Sequence, residues 1–244
     1  LGSSTSNNTT FEFNAGARPF AYNAPSGYKC LCSSNLTATI ADGSKHFDAK
    51  LYTGDNTASR SVTSYNFSPD LVWAKSRSGT YYHGLFDTLR SGYALYSNAT
   101  SAEDTTEQLG FTSNGFTTPN KTGDFINANN ANYVAWAWDA GSSTVTNTDG
   151  SISAQVRANP TAGFSICTYT GTEGGTFGHG LNAAPEFVMV KRRNTSADWC
   201  LWHKAIPNTK YLILNSSGAV NTWNVWGDTS PTSSVVSVSG DSYT

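Results

Sequence analysis

Glu103, Asp104 and Glu107 stand close together in Ser101-Ala-Glu-Asp-Thr-Thr-Glu. Glycoside hydrolysis needs two carboxylates facing each other across a cleft, but this run is polar throughout and reads as a solvated loop. The four histidines, His46, His83, His179 and His203, are far apart. They form no H-E-x-x-H and have no cysteine partner at zinc spacing. His83 and His203 sit in strand-like runs, which suits hydrogen-bonded histidines of a β-sandwich. No G-x-S-x-G places a serine on a nucleophile elbow. Gly171-Thr-Glu-Gly-Gly-Thr-Phe-Gly178 lacks the Lys-Ser/Thr of a phosphate loop and leads to Pro185 and a strand, so it reads as a flexible turn. These residues assign no catalytic, metal-binding or cofactor-binding position, and the expectation is a protein that is not an enzyme and carries no cofactor.

Sugar binding is the stronger chemistry, because it needs exposed aromatic faces beside Asn or Asp. Asn221-Thr-Trp-Asn-Val-Trp-Gly-Asp228 offers Trp223 and Trp226 with Asn224 and Asp228, and Ser78-Gly-Thr-Tyr-Tyr-His83 offers Tyr81 and Tyr82. The competing reading is that aromatic residues of a sandwich fill its core. A spacing of three does not fix a common face on a strand.

The elements that carry these residues are set by composition. Of 244 residues, 106 are Ser, Thr, Asn or Gly and 31 are aromatic, while Glu numbers 5 and Met 1. Aromatic residues, Val and Thr fit pleated, half-buried surfaces, and Gly, Asn and Ser supply turns. The expected fold is all-β: tandem sandwiches of jelly-roll or lectin-like type, with antiparallel sheets and little or no helix. Charged residues make up 13%, against about a quarter in ordinary soluble proteins. A net charge of −2 without a basic tract argues against nucleic acid and anionic lipid as partners. No apolar run approaches a membrane helix. The start, Leu1-Gly-Ser-Ser, is neither an initiator Met nor a signal peptide, so the chain reads as part of something longer. Cys30, Cys32, Cys167 and Cys200 are too few and too scattered for a disulfide framework; Cys30 and Cys32 share one face of a strand as small buried residues.

An internal repeat organises the chain. Lys50-Leu-Tyr-Thr-Gly54 returns as Cys167-Thr-Tyr-Thr-Gly171, Ser68-Pro-Asp-Leu-Val-Trp-Ala-Lys-Ser-Arg77 as Ala184-Pro-Glu-Phe-Val-Met-Val-Lys-Arg-Arg193, and Tyr93-Ala-Leu-Tyr-Ser-Asn98 as Tyr211-Leu-Ile-Leu-Asn-Ser216. This predicts two copies of one β domain, 46–140 and 163–244, joined by a mostly extended linker over 141–162 with a turn at Asp149-Gly150. Pro69 and Pro185 mark strand entries, and Asn114-Gly115 marks a hairpin. Tyr133-Val-Ala-Trp-Ala-Trp138 is the clearest strand, expected to fill the core with Val134, Trp136 and Trp138 while small Ala135 and Ala137 on the other face lie under another layer. The second copy has no counterpart of it. Its last strand is expected from sequence beyond this chain or from a neighbouring subunit, because an uncovered core with an open edge invites aggregation.

The segment from Phe11 to Cys30, Phe-Glu-Phe-Asn-Ala-Gly-Ala-Arg-Pro-Phe-Ala-Tyr-Asn-Ala-Pro-Ser-Gly-Tyr-Lys-Cys, resembles the closing strands of SPRY (B30.2-like) domains of tailed-phage proteins, with Ala15 inserted and Tyr28 in place of a Phe. Residues 1–45 then read as the end of such a domain and a linker. The blocks that follow, among them His46-Phe-Asp-Ala-Lys-Leu-Tyr-Thr-Gly54, His83-Gly-Leu-Phe-Asp87 and Gly163-Phe-Ser-Ile-Cys-Thr-Tyr-Thr-Gly171, look like the uncharacterised tandem domain found downstream of SPRY modules in virion proteins, often labelled tail fibre, of marine phages such as cyanophages. The resemblance implies a non-enzymatic virion component, a tail-fibre or other appendage segment with a role in host-surface adhesion. It would be a homo-oligomer, a trimer by analogy with phage fibres, in contact with other virion proteins and assembled in the host cytoplasm. The alternatives are a carbohydrate-binding receptor-recognition module for a host surface glycan and a capsid or neck decoration fibre.

Overall fold

Short runs of Val, Thr and aromatic residues between Gly, Asn and Pro form eighteen strands among the described residues. The computed structural model describes residues 40–122 and 124–240. The SPRY-like segment, with Cys30 and Cys32, lies outside them. In the first half the strands are β1 (Phe47–Thr53), β2 (Ser61–Val62), β3 (Leu71–Ser76), β4 (Gly84–Asp87), β5 (Tyr93–Tyr96), β6 (Asp104–Gln108), β7 (Gly110–Thr112), β8 (Gly115–Thr117) and β9 (Asn132–Trp138). The second half contributes β10 (Thr144–Asn147), β11 (Ala154–Asn159), β12 (Phe164–Tyr169), β13 (Gly175–Gly178), β14 (Phe187–Lys191), β15 (Trp199–His203), β16 (Lys210–Ile213), β17 (Asn221–Thr222) and β18 (Val235–Val238). The strand ladders are all antiparallel. Among the described residues the helical content is two three-residue 3-10 turns, so the protein is all-β.

The first half is two sheets packed face to face. One runs β1-β9-β3-β4-β5-β6 and the other β2-β8-β7, with Val72, Phe86, Phe116, Ile126 and Tyr133 at 0% exposure between them. The expected facing of β9 is reversed. Tyr133, Ala135 and Ala137 point into this core, while Val134, Trp136 and Trp138 are half-buried on the other side. The reason is room: Tyr65 reaches across the core so closely that its hydroxyl donates to the Ala135 carbonyl at 3.1 Å, and only a small side chain fits beneath it. The hairpin also shifts by one residue, with Ser113-Asn114 as the loop between β7 and β8. Gly115 is needed because a Cβ there would lie 2.1 Å from the Val62 carbonyl oxygen.

The second half repeats the plan. Strands β14, β15 and β16 follow β3, β4 and β5 in order and pairing, and β13 pairs β18 as β2 pairs β8. The stretch expected as a linker is instead built into this half. β10 and β11 form a sheet with β12, and Ile152, Ala154 and Val156 are buried with Phe177, Trp202, Trp226 and Val236. The turn between β10 and β11 does fall at Asp149-Gly150.

Residues 42–244 form one compact unit, held by a third apolar cluster in which Leu71, Leu85 and Leu95 of the first half meet Ile166 and Trp199 of the second. Trp138 stacks on Phe164 with ring centres 5.9 Å apart, and the Trp199 indole N–H donates to the Tyr96 carbonyl at 2.8 Å. Arg157 Nε, half-buried on β11, lies 2.7 Å from Oδ1 of the buried Asp70 just ahead of β3.

Candidate functional site

The residues singled out for sugar binding do not form one surface. Trp226 is 1% exposed, in the core of the second half, so it presents no face to a ligand. Val225 beside it is also buried, and the apolar pull of that pair turns the segment inward. Trp223 is 60% exposed. Asn224 Oδ1 accepts from the Asp228 N–H at 2.9 Å, closing the turn in which Asp228 takes a φ of 49°. Asn208 Nδ2 donates to the Asp228 carbonyl at 2.7 Å. Tyr82 stacks on Tyr96 at 4.4 Å, leaving one ring face, and Tyr81 is 40% exposed. Trp223 is thus the open aromatic face of its group, and its expected partner Trp226 is structural.

The acidic run is not a solvated loop. Glu103 is bound by Arg90 Nη1 at 2.9 Å and Arg193 Nη2 at 2.9 Å, and Arg90 Nε holds Asp87 at 2.6 Å, all four side chains lying at or near the seam between halves. Burial pushes the Glu103 carboxyl up, but the bonds from Arg193 and Arg90 outweigh it and leave it below its ordinary value. Asp104 accepts from the Tyr96 hydroxyl at 2.7 Å, and Glu107 pairs with Lys121. Each carboxylate is engaged in holding strands. Asp124, 1% exposed, is raised to about 6 by burial. His179, 3% exposed, lies within 3.2 Å of the Thr232 carbonyl and accepts from the Leu181 N–H, and burial lowers its pKa. His46 is 2.9 Å from Asp139 and 3.2 Å from Asn159. Among the described residues no group of three His, Cys, Asp or Glu side chains could hold a metal ion, and no helix is long and apolar enough to cross a membrane.

The large concave feature is a groove of about 1210 Å³ in the second half. One wall is the chain from Gly163 to Thr172, which carries β12, and the other the chain from Ala183 to Asn194, which carries β14. Its side toward the first half holds Leu71, Leu85 and Leu95. A wall of ten residues in extended chain is about 33 Å long, longer and larger than small-molecule clefts of about 300–1,000 Å³. Among the described residues β12 and β14 are each an edge strand of their sheets. In the first half, β9 fills this position, paired to β1 on one side and β3 on the other. Cys167, on the groove wall, is pushed up to about 12 by burial, so its thiol is inert. Burial likewise lowers Lys191 to about 8, where its Nζ donates to the Arg192 carbonyl at 2.7 Å. Lys75 makes the same bond to Ser76 in the first half at 2.9 Å.

The chemistry-bearing residue types gave no sign of this groove. Its signal in the sequence is the repeat, which pairs β12 with β1 and β14 with β3 and leaves Tyr133 to Trp138 without a counterpart. Neither a curated protein nor a solved structure matches the chain. Residues 42–244 match the family described as Domain of unknown function (DUF7483), and the chain belongs to that family.

Proposed function

We propose that the protein is a non-enzymatic structural segment of a phage virion appendage, such as a tail fibre, that carries load and spacing through its paired β halves and takes part in host-surface adhesion. The observation that carries this reading is the seam between the halves. Trp199, Trp138, Phe164 and the Asp70–Arg157 pair lock them together, and Arg90, Glu103 and Arg193 form an ion network across them. A rigid tandem unit suits a part that transmits position. The likeness of residues 11–30 to the end of a phage SPRY domain supports the setting. Low charge suits work in salt, since little of the fold rests on screened surface pairs, and copies meeting in a symmetric fibre would add weak contacts by multivalency. Immunogold imaging of phage particles with antibody raised against residues 42–244 tests it. Label on a tail or other appendage, with three copies per position, is the expected result; absence of label from purified particles would end the reading.

The open Trp223 favours a second reading, a host-glycan contact. Binding of labelled host polysaccharide that Trp223→Ala abolishes, with the fold intact, would establish it. Binding unchanged by that substitution would remove the site.

A further inference from the structure

We propose that the groove between β12 and β14 is an acceptor slot for one β-strand, supplied by the continuation of the same polypeptide past Thr244, with the residue pattern and register of β9. The first half is the template. There β9 lies antiparallel to both neighbours, with Ala135 opposite Lys50 and Ala74, Ala137 opposite Asp48 and Val72, and Trp138 opposite Phe47 and Leu71. The repeat carries these positions to Cys167 and Val190, to Ser165 and Val188, and to Phe164 and Phe187. The incoming strand therefore places small residues opposite Cys167/Val190 and Ser165/Val188, facing the core, and a large apolar residue opposite Phe187. Two observations show the place of the missing side chains. Phe187 is 54% exposed where Leu71, covered in part by Trp138, is 9% exposed. Val188 is half-buried where Val72 is at 0%. Backbone edges on both walls, Phe164–Thr168 and Phe187–Lys191, supply the ladder partners that a strand requires.

The path of the chain favours this source over a second copy. In the first half, the segment entering β9 is clipped to the end of β1: Gly54 N–H donates to Ala131 at 2.7 Å, Asn130 N–H to Gly54 at 2.9 Å, and a Cβ on Gly54 would lie 2.0 Å from the Ala128 oxygen. In the second half, the chain after β18 reaches Gly240 at the matching corner, where a Cβ would lie 2.1 Å from Gly174 N and 2.5 Å from the Thr172 oxygen. A connection like 118–131 would carry it past Thr244 before the strand begins. In a second copy, β9 is already buried in its own sheet.

The test extends the 244-residue chain at its C-terminus with a copy of its own residues 118–139 and follows amide exchange by residue. The expected result is exchange at least tenfold slower at the groove-facing amides of Phe164–Thr168 and Phe187–Lys191, with the oligomeric state unchanged by the extension. The same extension carrying Glu at the positions copied from Ala135 and Ala137 should leave those rates at the level of the unextended chain, since it would drive two carboxylates into the core. Equal rates in extended and unextended chains would overturn the proposal. So would slow exchange in the unextended chain that rises with concentration alongside a dimer in ultracentrifugation, which would make a second copy the occupant.

Discussion

Leu71 and Phe187 hold the same position in the two halves, and one is 9% exposed while the other is 54%. Ala74 and Val190 repeat the contrast with 0% and 9%. The halves share strand order and pairing from β3 to β5 and from β14 to β16; what differs is that Leu71 lies in the seam with Ile166 and Trp199, and that β9 pairs β3 where, among the described residues, β14 pairs β15 alone. In the first half, β9 joins β1 to β3 and makes a sheet of six strands; in the second, the corresponding strands sit in separate sheets of three and four. A strand between two others is therefore what turns two small sheets into one, through ladder bonds on both edges and burial on both faces. In the second half β12 is paired instead with β11, which pairs β10 in turn.

The largest effect should come from spoiling β9 itself. Ala135→Asp puts a carboxylate at a position with 0% exposure, and should cost more than about 4 kcal/mol, read as loss of the folded baseline in urea. Next is Trp199→Ala at the seam, which removes the indole bond to Tyr96 and should cost about 3–5 kcal/mol. If the halves depend on the seam, calorimetry of this variant shows two transitions in place of one. Arg90→Ala leaves the buried Asp87 without its cation and Glu103 with Arg193 alone, and should cost about 3 kcal/mol. Arg193→Ala, with a side chain 43% exposed, should cost under about 1 kcal/mol.

Acidity separates the halves further. Asp124 in the first half has a folded pKa of about 6, above its ordinary value. As pH falls from about 6 to about 4 the folded form takes up a proton first, and stability rises by up to about 3 kcal/mol. His179 in the second half is held below its ordinary value. The unfolded chain protonates first there, and stability falls as pH drops below about 6.5. Asp124→Asn should therefore steepen the loss of stability between pH 6.5 and 4, and His179→Gln should flatten it. Urea midpoints across that range check both signs; a steeper loss in His179→Gln would contradict the assignment.

The fold class was legible because composition and period-two alternation both report on half-buried strands. The repeat located the strands and leaves Tyr133 to Trp138 without a counterpart in the second half. The facing of β9 was not legible, since alternation shows that Ala135 and Trp136 lie on opposite faces without showing which side Tyr65 occupies. β10 and β11 were hidden for a related reason. Thr144–Asn147 is exposed and rich in Thr and Asn, a composition that extended linkers share, and only its pairing with β11 makes it a strand. Trp226 was misplaced because a polar run around two tryptophans does not tell which indole turns inward. Glu103 looked solvated because its partners, Arg90 and Arg193, come from the two halves and meet only in the folded chain.

Residue-resolved amide exchange of the unextended chain tests the contrast between the halves most directly. The account predicts slow exchange across β1, β3 and β9, and fast exchange at those amides of Phe164–Thr168 that do not bond β11 and those of Phe187–Lys191 that do not bond β15. Equal protection of the two sets in a monomer would contradict it, because the second half would then already hold the strand it lacks.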